Sequence, residues 1–229
     1  MFIGHLAVGF ASKRLAPRSN LGILLAAPLL LDLLWPAFLV TGLESVRIAP
    51  GDTAFTPLRF VAYPITHSLA GCFLWAAAFA GIYLSVTSYL RGTVVVFGGV
   101  MSHWVLDAIT HRPDLPVLPA GPFVGFGLWN WPLATVLAEG AMFAASLWIY
   151  TRYTRARNIT GKVALAGLVA FLILVYAGIV FGPPPPGEMA VAAGAFATWL
   201  FPLWGAWVER HRRLSLAGAT GARAALQIP

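Results

Sequence analysis

Apolar residues run along this chain in long stretches, and the short segments between them hold most of the charge. The runs over 21–42, 67–90, 92–110, 130–151, 162–181 and 189–208 each come close to or exceed the ~20 residues that an α-helix needs to cross a bilayer. An earlier apolar stretch, residues 2–12, is too short to cross alone. It also lacks the basic start and small-residue cleavage site of a signal peptide, so it reads as a half-helix or an interfacial helix packed into the bundle. The expected fold is all-α: a polytopic membrane helix bundle of about six transmembrane helices plus a short N-terminal half-helix. Residues 1–210 form a single integral-membrane domain in this reading. Residues 211–229 form a basic cytoplasmic tail, expected to be disordered.

Composition supports that solvent assignment. The 229 residues are 59% hydrophobic and 10% charged, with a mean hydropathy of +0.79, far outside the range of soluble domains. A net charge of +7 would point to nucleic acid in a soluble protein. Here the basic residues cluster at segment ends, where they orient helices, and nucleic acid is excluded as a partner. Twelve of the fifteen Lys and Arg fall on one side of the expected topology, leaving Arg47, Arg59 and Arg112 on the other. The positive-inside rule makes the first side cytoplasmic, together with the C-terminus. Loops 43–66, 111–129 and 182–188 are then extracytoplasmic, as in an integral protein of a prokaryotic inner or plasma membrane. The single Cys72 lies inside an apolar run, which excludes disulfides and thiolate metal sites as organising features.

Against this background the ionisable residues stand out. His5, Asp32, His67 and the run His103-x3-Asp107-x3-His111 fall inside or at the mouths of apolar segments. A charge at a helix centre in hydrocarbon costs ~3 kcal/mol on insertion scales, which makes such residues functional candidates. Imidazoles and carboxylates without thiolates are the donor set of a catalytic zinc or similar ion. Residues four apart share a helix face, so His103 and Asp107 can serve one ion or two adjacent ions, with His111 a turn further on. With 1.5 Å of rise per residue, His103, Asp107 and His111 lie roughly 12, 6 and 0 Å from the outer end of their helix. Gly98, Gly99 and Ser102 just upstream allow close helix approach. The six residues are expected to converge on a cavity open to the extracytoplasmic side.

A lone histidine or aspartate in a bundle often serves only as an interhelical hydrogen bonder, and that reading stays open for His5, His67 and Asp32 taken singly. Clustering in one membrane half favours a metal or proton site. His111, at the boundary and followed by Arg112-Pro113, is either a ligand or an interface residue. Glu139 is a lone acid within a span, a partner to the ligands or a proton-carrying group. Trp35, Trp75, Trp129, Trp131 and Trp204 read as interfacial anchors, Pro183–Pro186 as a stiff extended turn, and His211 as a solvated residue of the basic tail.

Gly4-His5, Pro28-x3-Asp32, Ile65-Thr66-His67-Ser68 and Ser102-His103-x3-Asp107-x3-His111 together resemble the YdjM-like family of predicted membrane-bound metal-dependent hydrolases. The likeness covers roughly residues 1–115. That family is in turn distantly similar to the zinc-dependent phospholipase C and single-strand nuclease group. The resemblance implies Asp32, His67, His103 and Asp107 around one zinc ion, with Asp107 bridging to a second ion held also by His5, and His111 at the start of a third site. The chain lacks the later His-x3-Glu pair of that third site, so one or two ions, zinc or another divalent metal, are expected. The implied activity is metal-assisted hydrolysis of a phospholipid or related lipid phosphoester, with Asp32 or Asp107 orienting or deprotonating the water. The alternatives are a divalent-cation or proton transporter using the same cluster, and a non-catalytic membrane protein in which a metal is structural. Against transport, no inverted repeat or pair of broken helices is evident.

Overall fold

The computed structural model describes residues 1–215; the remainder of the expected tail, 216–229, lies outside the described residues. The fold is an all-α helical membrane bundle. Six helices or helix pairs are long and apolar enough to cross a membrane: α2 (Leu21–Val40), α4 (Leu69–Thr87), α5 (Leu90–Thr110), α6 (Pro132–Tyr153), α7 (Ile159–Phe181) and the α8–α9 unit (Glu188–Arg210). Their bounds lie within a few residues of the apolar runs.

At the start of the chain, α1 (Ile3–Leu15) buries most of its apolar side chains, with Leu6 and Phe10 fully enclosed and Leu15 exposed at its end. A helix buried over most of its surface belongs in a core rather than at an interface. It packs against α2, α5 and α6, and at 13 residues it reaches only part way through the bundle. The half-helix alternative is the one observed.

The last span is not one uniform helix. It divides into α8 (Glu188–Ala197) and α9 (Leu200–Arg210), with i→i−3 backbone bonds at Thr198 and Trp199. Pro202 has no amide hydrogen to offer the Thr198 carbonyl, which accounts for the tightened turn.

Two hairpins cover one end of the bundle. β1 (Ser45–Ile48) pairs antiparallel with β2 (Leu58–Ala62), and β3 (Leu115–Pro116) with β4 (Phe123–Val124). The four-residue α3 (Pro64–His67) follows β2. At the opposite end, β5 (Thr154–Ala156) pairs with β6 (Arg212–Leu214). The expected free tail is corrected here: Arg212 is buried and donates to the Thr154 hydroxyl and carbonyl and to the Gly161 carbonyl. The His211 carbonyl accepts the Arg157 N–H, and the His211 ring meets Trp207 edge-on. A buried guanidinium with three hydrogen bonds to the chain fastens a segment that composition alone marked as solvated.

Candidate metal centre

Four elements deliver the polar cluster: His5 from α1, Asp32 from α2, His67 from the end of α3, and His103 and Asp107 from α5, with His111 capping α5. Gly99 sets the α2–α5 spacing one turn before His103. A Cβ added there would come within 3.0 Å of the Ala27 Cβ, so the small residue permits the approach. Ser68 accepts the Gly71 N–H and so caps α4 directly after His67. Glu139 of α6 accepts the N–H groups of Phe2 and Gly4 at 2.8 and 3.1 Å. It closes the first turn of α1 and thereby places His5. The structure gives Glu139 that positioning contact, with its second oxygen buried and without a hydrogen-bond partner.

All six residues singled out in the sequence meet in one place. His5 Nε2 is 3.1 Å from Asp107 Oδ1, while His103 Nε2 and His111 Nε2 stand 3.1 and 3.8 Å from Asp107 Oδ2. Asp32 Oδ1 is 3.5 Å from His67 Nε2 and 3.8 Å from His103 Nε2. The His5 and His103 rings stack with centroids 3.9 Å apart. Two triads, His5–His103–Asp107 and Asp32–His67–His103, each offer donor atoms within 4.8 Å of one another, and His103 belongs to both. The group can hold a metal ion. The Met1 backbone nitrogen also lies 2.7 Å from Asp107 Oδ1.

The far sides of the imidazoles reveal which nitrogen carries the proton. His103 Nδ1 is 2.7 Å from the Pro28 carbonyl, which only accepts. His111 Nδ1 is 3.0 Å from Asp114 Oδ1. His67 Nδ1 is 2.6 Å from Thr66 Oγ1, and that hydroxyl donates at 2.7 Å to Glu44 Oε2. Having spent its hydrogen on Glu44, Thr66 must accept from His67. Each of the three rings is therefore assigned an Nδ1–H, which leaves an Nε2 lone pair facing a carboxylate. His103 Nε2 is buried and has no hydrogen-bond partner despite its 3.1 Å separation from Asp107. Where these rings are neutral, Nε2 lone pairs face carboxylate lone pairs, an arrangement that a cation can complete. Metal-bound histidines commonly donate the other ring N–H to a carboxylate, carbonyl or water, and the residues present fit such an ion. Burial pushes His111 below its ordinary pKa against the pull of Asp114 and Asp107. The neighbouring Tyr63 phenol is pushed up by burial and by Asp114.

No family model, curated protein or solved structure matches this chain. The site rests on its own geometry.

Aromatic rings form the walls, and here two residues read as interfacial anchors are corrected. Trp35 and Trp129 are buried, one packed edge-on to His67 and the other tilted on His111 at 4.3 Å. Each serves the pocket, while Trp131 is 70% exposed. Glu44 carried no signal in the sequence. It lies in a loop, and its burial to 2% exposure comes from accepting the Ile65 and Thr66 N–H groups and the Thr66 hydroxyl. Asp114, three residues after His111, was the nearer clue passed over.

Proposed function

We propose that this protein is a membrane-embedded metal-dependent hydrolase. It holds one or two zinc ions and cleaves a phospholipid or related lipid phosphoester from the extracytoplasmic side. The observation that carries the reading is the shared orientation of His67, His103 and His111, each with Nδ1–H held from behind and Nε2 turned to Asp32 or Asp107.

His5, His67, His103 and Asp107 are the holding residues in this reading. Asp107 turns one oxygen to His5 and the other to His103 and His111, so it would help to hold whichever ion the group takes. When bound, such an ion polarises a phosphoryl oxygen and makes water acidic near pH ~7. Asp32 is 29% exposed at its side chain, the most open of the set, and lines the cavity with His67 and His111. It is placed to orient the attacking water and take its proton. Trp35, Phe60 and Trp129 keep that space apolar.

Sidedness follows the basic residues, most of which lie at the end of the bundle away from the cluster. Membership of the YdjM-like hydrolases, which the motifs resemble, is part of the same proposal. At the far end Lys13 is buried against Glu209 and the Ser19 carbonyl, which favours one-sided access over transport.

Elemental analysis of detergent-purified protein tests the reading first. One or two equivalents of zinc are expected in wild type and none in His103→Ala or Asp107→Ala, with zinc-dependent release of product from labelled lipid phosphoesters lost in parallel. Wild-type protein free of metal, or bound zinc without any His103-dependent product, overturns it.

A further inference from the structure

The pocket over the His and Asp side chains is small. Its volume is about 160 Å³, below the ~300–1,000 Å³ usual for sites that enclose a small molecule. Phe55, Thr56, Leu58 and Ile179 in its wall also border a second cavity of about 390 Å³. That cavity lies between the β1–β2 loop and the last turns of α7, and it extends to Pro183–Pro185. Its α7 wall belongs to a candidate span whose Leu174, Ile179 and Phe181 are exposed. At Gly178 an added Cβ would meet nothing within 4 Å, so the wall is open there. The proline run has no amide hydrogens to turn toward an occupant. Inside, Phe55 is half-buried, with its ring 6.4 Å from that of Tyr176, and it belongs to both walls.

We propose that this second cavity takes a hydrocarbon chain of the substrate, which enters sideways from the membrane between α7 and residues 50–58 while its phosphoester end occupies the metal pocket. The proposal rests on the hydrolase reading and narrows it. The substrate is a phosphoester borne on at least one long apolar chain, not a diffusible polar ester. In this cavity a hydrocarbon chain would keep apolar contacts with Phe55, Leu58, Val175, Ile179 and Val180, with Thr53 and Thr56 at the loop side, whereas a charged substituent entering from the bilayer would shed its water for few partners. The Pro183–Pro186 turn thus acquires a role as a rigid apolar edge of the entrance.

The test uses the full chain in phospholipid vesicles containing a phosphatidylcholine analogue with a photoreactive alkyl diazirine in its acyl chain. After irradiation, labelled peptides are mapped by mass spectrometry, and zinc is measured in the same samples. Label is expected on Phe55 and its neighbours, which line the cavity, and on α7. It should be lost from residues 50–58 in Gly178→Leu and in Ile179→Trp while remaining on the exposed Phe73 and Leu74 of α4. Gly140→Leu, on α6 where an added Cβ also meets open space, controls for a bulky residue elsewhere in the bundle. No label on residues 50–58, or label unchanged in both cavity variants, overturns the proposal. Wild type that labels at Phe55 but holds no zinc keeps the chain cavity and removes the hydrolase reading. Wild type that holds zinc without label at Phe55 does the reverse.

Discussion

The two ends of the bundle both bury ionisable groups, and they do so in opposite ways. At the basic end the buried cations are met by acceptors of the chain. Lys13, 1% exposed, reaches Glu209 and the Ser19 carbonyl, and Arg212 makes three hydrogen bonds to Thr154 and Gly161. At the histidine end the Nδ1–H groups of His67, His103 and His111 are held from outside the cluster and their Nε2 atoms turn inward to Asp32 and Asp107, with the Met1 nitrogen also on Asp107. Burying polar groups without partners costs on the order of 1–3 kcal/mol each, so a folded chain keeps such an arrangement where something else completes it. At the basic end the buried cations are met by carboxylate, carbonyl and hydroxyl groups of the chain, although Glu209 Oε2 and the Tyr150 hydroxyl keep no partner; at the histidine end the buried group can hold a metal ion.

The sharpest way to break that contrast is to ask which end responds to metal. Free zinc at 100 to 1,000 times its dissociation constant should stabilise wild type by ~2.7–4 kcal/mol, seen as a rise in thermal unfolding temperature in detergent that chelator reverses. His103→Ala and Asp107→Ala should lose the response altogether. A response that survives in both variants would mean that the ion binds elsewhere.

Next in size is the reverse experiment at the basic end. Lys13→Met leaves the Glu209 carboxylate without its buried partner. Removing one member of a fully buried pair costs ~3–5 kcal/mol, and because the Glu209 side chain is 23% exposed the expected loss is about 2–3 kcal/mol, screened by water. Zinc content should stay at the wild-type level. Lys13→Met with Glu209→Leu should recover much of the stability, since replacing both charges removes the unpaired one. Failure of that double variant to recover would show that Lys13 acts through packing rather than charge.

How far each end was legible follows from what each element needed. The helices were legible because a span requires a long apolar run, and only the polar residues inside such runs can be conspicuous. That is why His5, Asp32, His67, His103, Asp107 and His111 were all found before the fold. Helix packing within the bundle, α1 on α2, α5 and α6, had no one-dimensional signal beyond the apolarity of α1. Trp35 and Trp129 were misread because an aromatic near a span end serves equally as an anchor or as a wall against an imidazole. The β5–β6 clasp was missed because three-residue strands carry almost no periodicity, and Arg212 looked like any other residue of a basic tail. Glu44 was invisible for a different reason. Its role depends on a hydroxyl two hydrogen bonds away from the proposed chemistry.

Glu44 gives the third prediction. With a carboxylate at 44, Thr66 donates outward and His67 must keep its proton on Nδ1. Glu44→Gln lets the amide donate to Thr66, so that the hydroxyl can turn its hydrogen to His67 Nδ1 and push the ring proton to Nε2, toward Asp32. Loss of such a supporting contact typically costs 10–100-fold in metal affinity, and a loss of that size is expected in zinc titrations of Glu44→Gln and Thr66→Val. Thr66→Ser, which keeps the hydroxyl, should restore binding. Equal affinity in all three would make Glu44 a fold-holding residue only, a satisfied charge of the kind seen at the other end.

The smallest expected effect lies in the β1–β2 hairpin over the pocket. Asp52 Oδ1 is 2.6 Å from Arg59 Nη2 and within ion-pair distance of Arg112 Nη1, while Arg112 Nε also donates to Asp114 at 2.9 Å. The hairpin is thereby tied to the residue that holds His111 Nδ1. Burial alone would raise the Asp52 carboxyl, but the hydrogen bonds and charges of Arg59 and Arg112 hold it below its ordinary value. A depressed carboxylate stabilises the folded form above its unfolded pKa of ~3.9 and loses that contribution as pH falls through the lower folded value. Arg59 is 53% exposed at its side chain, so water screens the pair and its worth is at most ~1 kcal/mol. Limited proteolysis between Gly51 and Pro57 should therefore quicken slightly on acidification below about pH 4 in wild type. Asp52→Asn should show the faster rate at every pH, with zinc content unchanged. Loss of zinc in Asp52→Asn would mean that the hairpin, through Arg112 and Asp114, sets the His111 ring and belongs to the metal-receiving end rather than merely covering it.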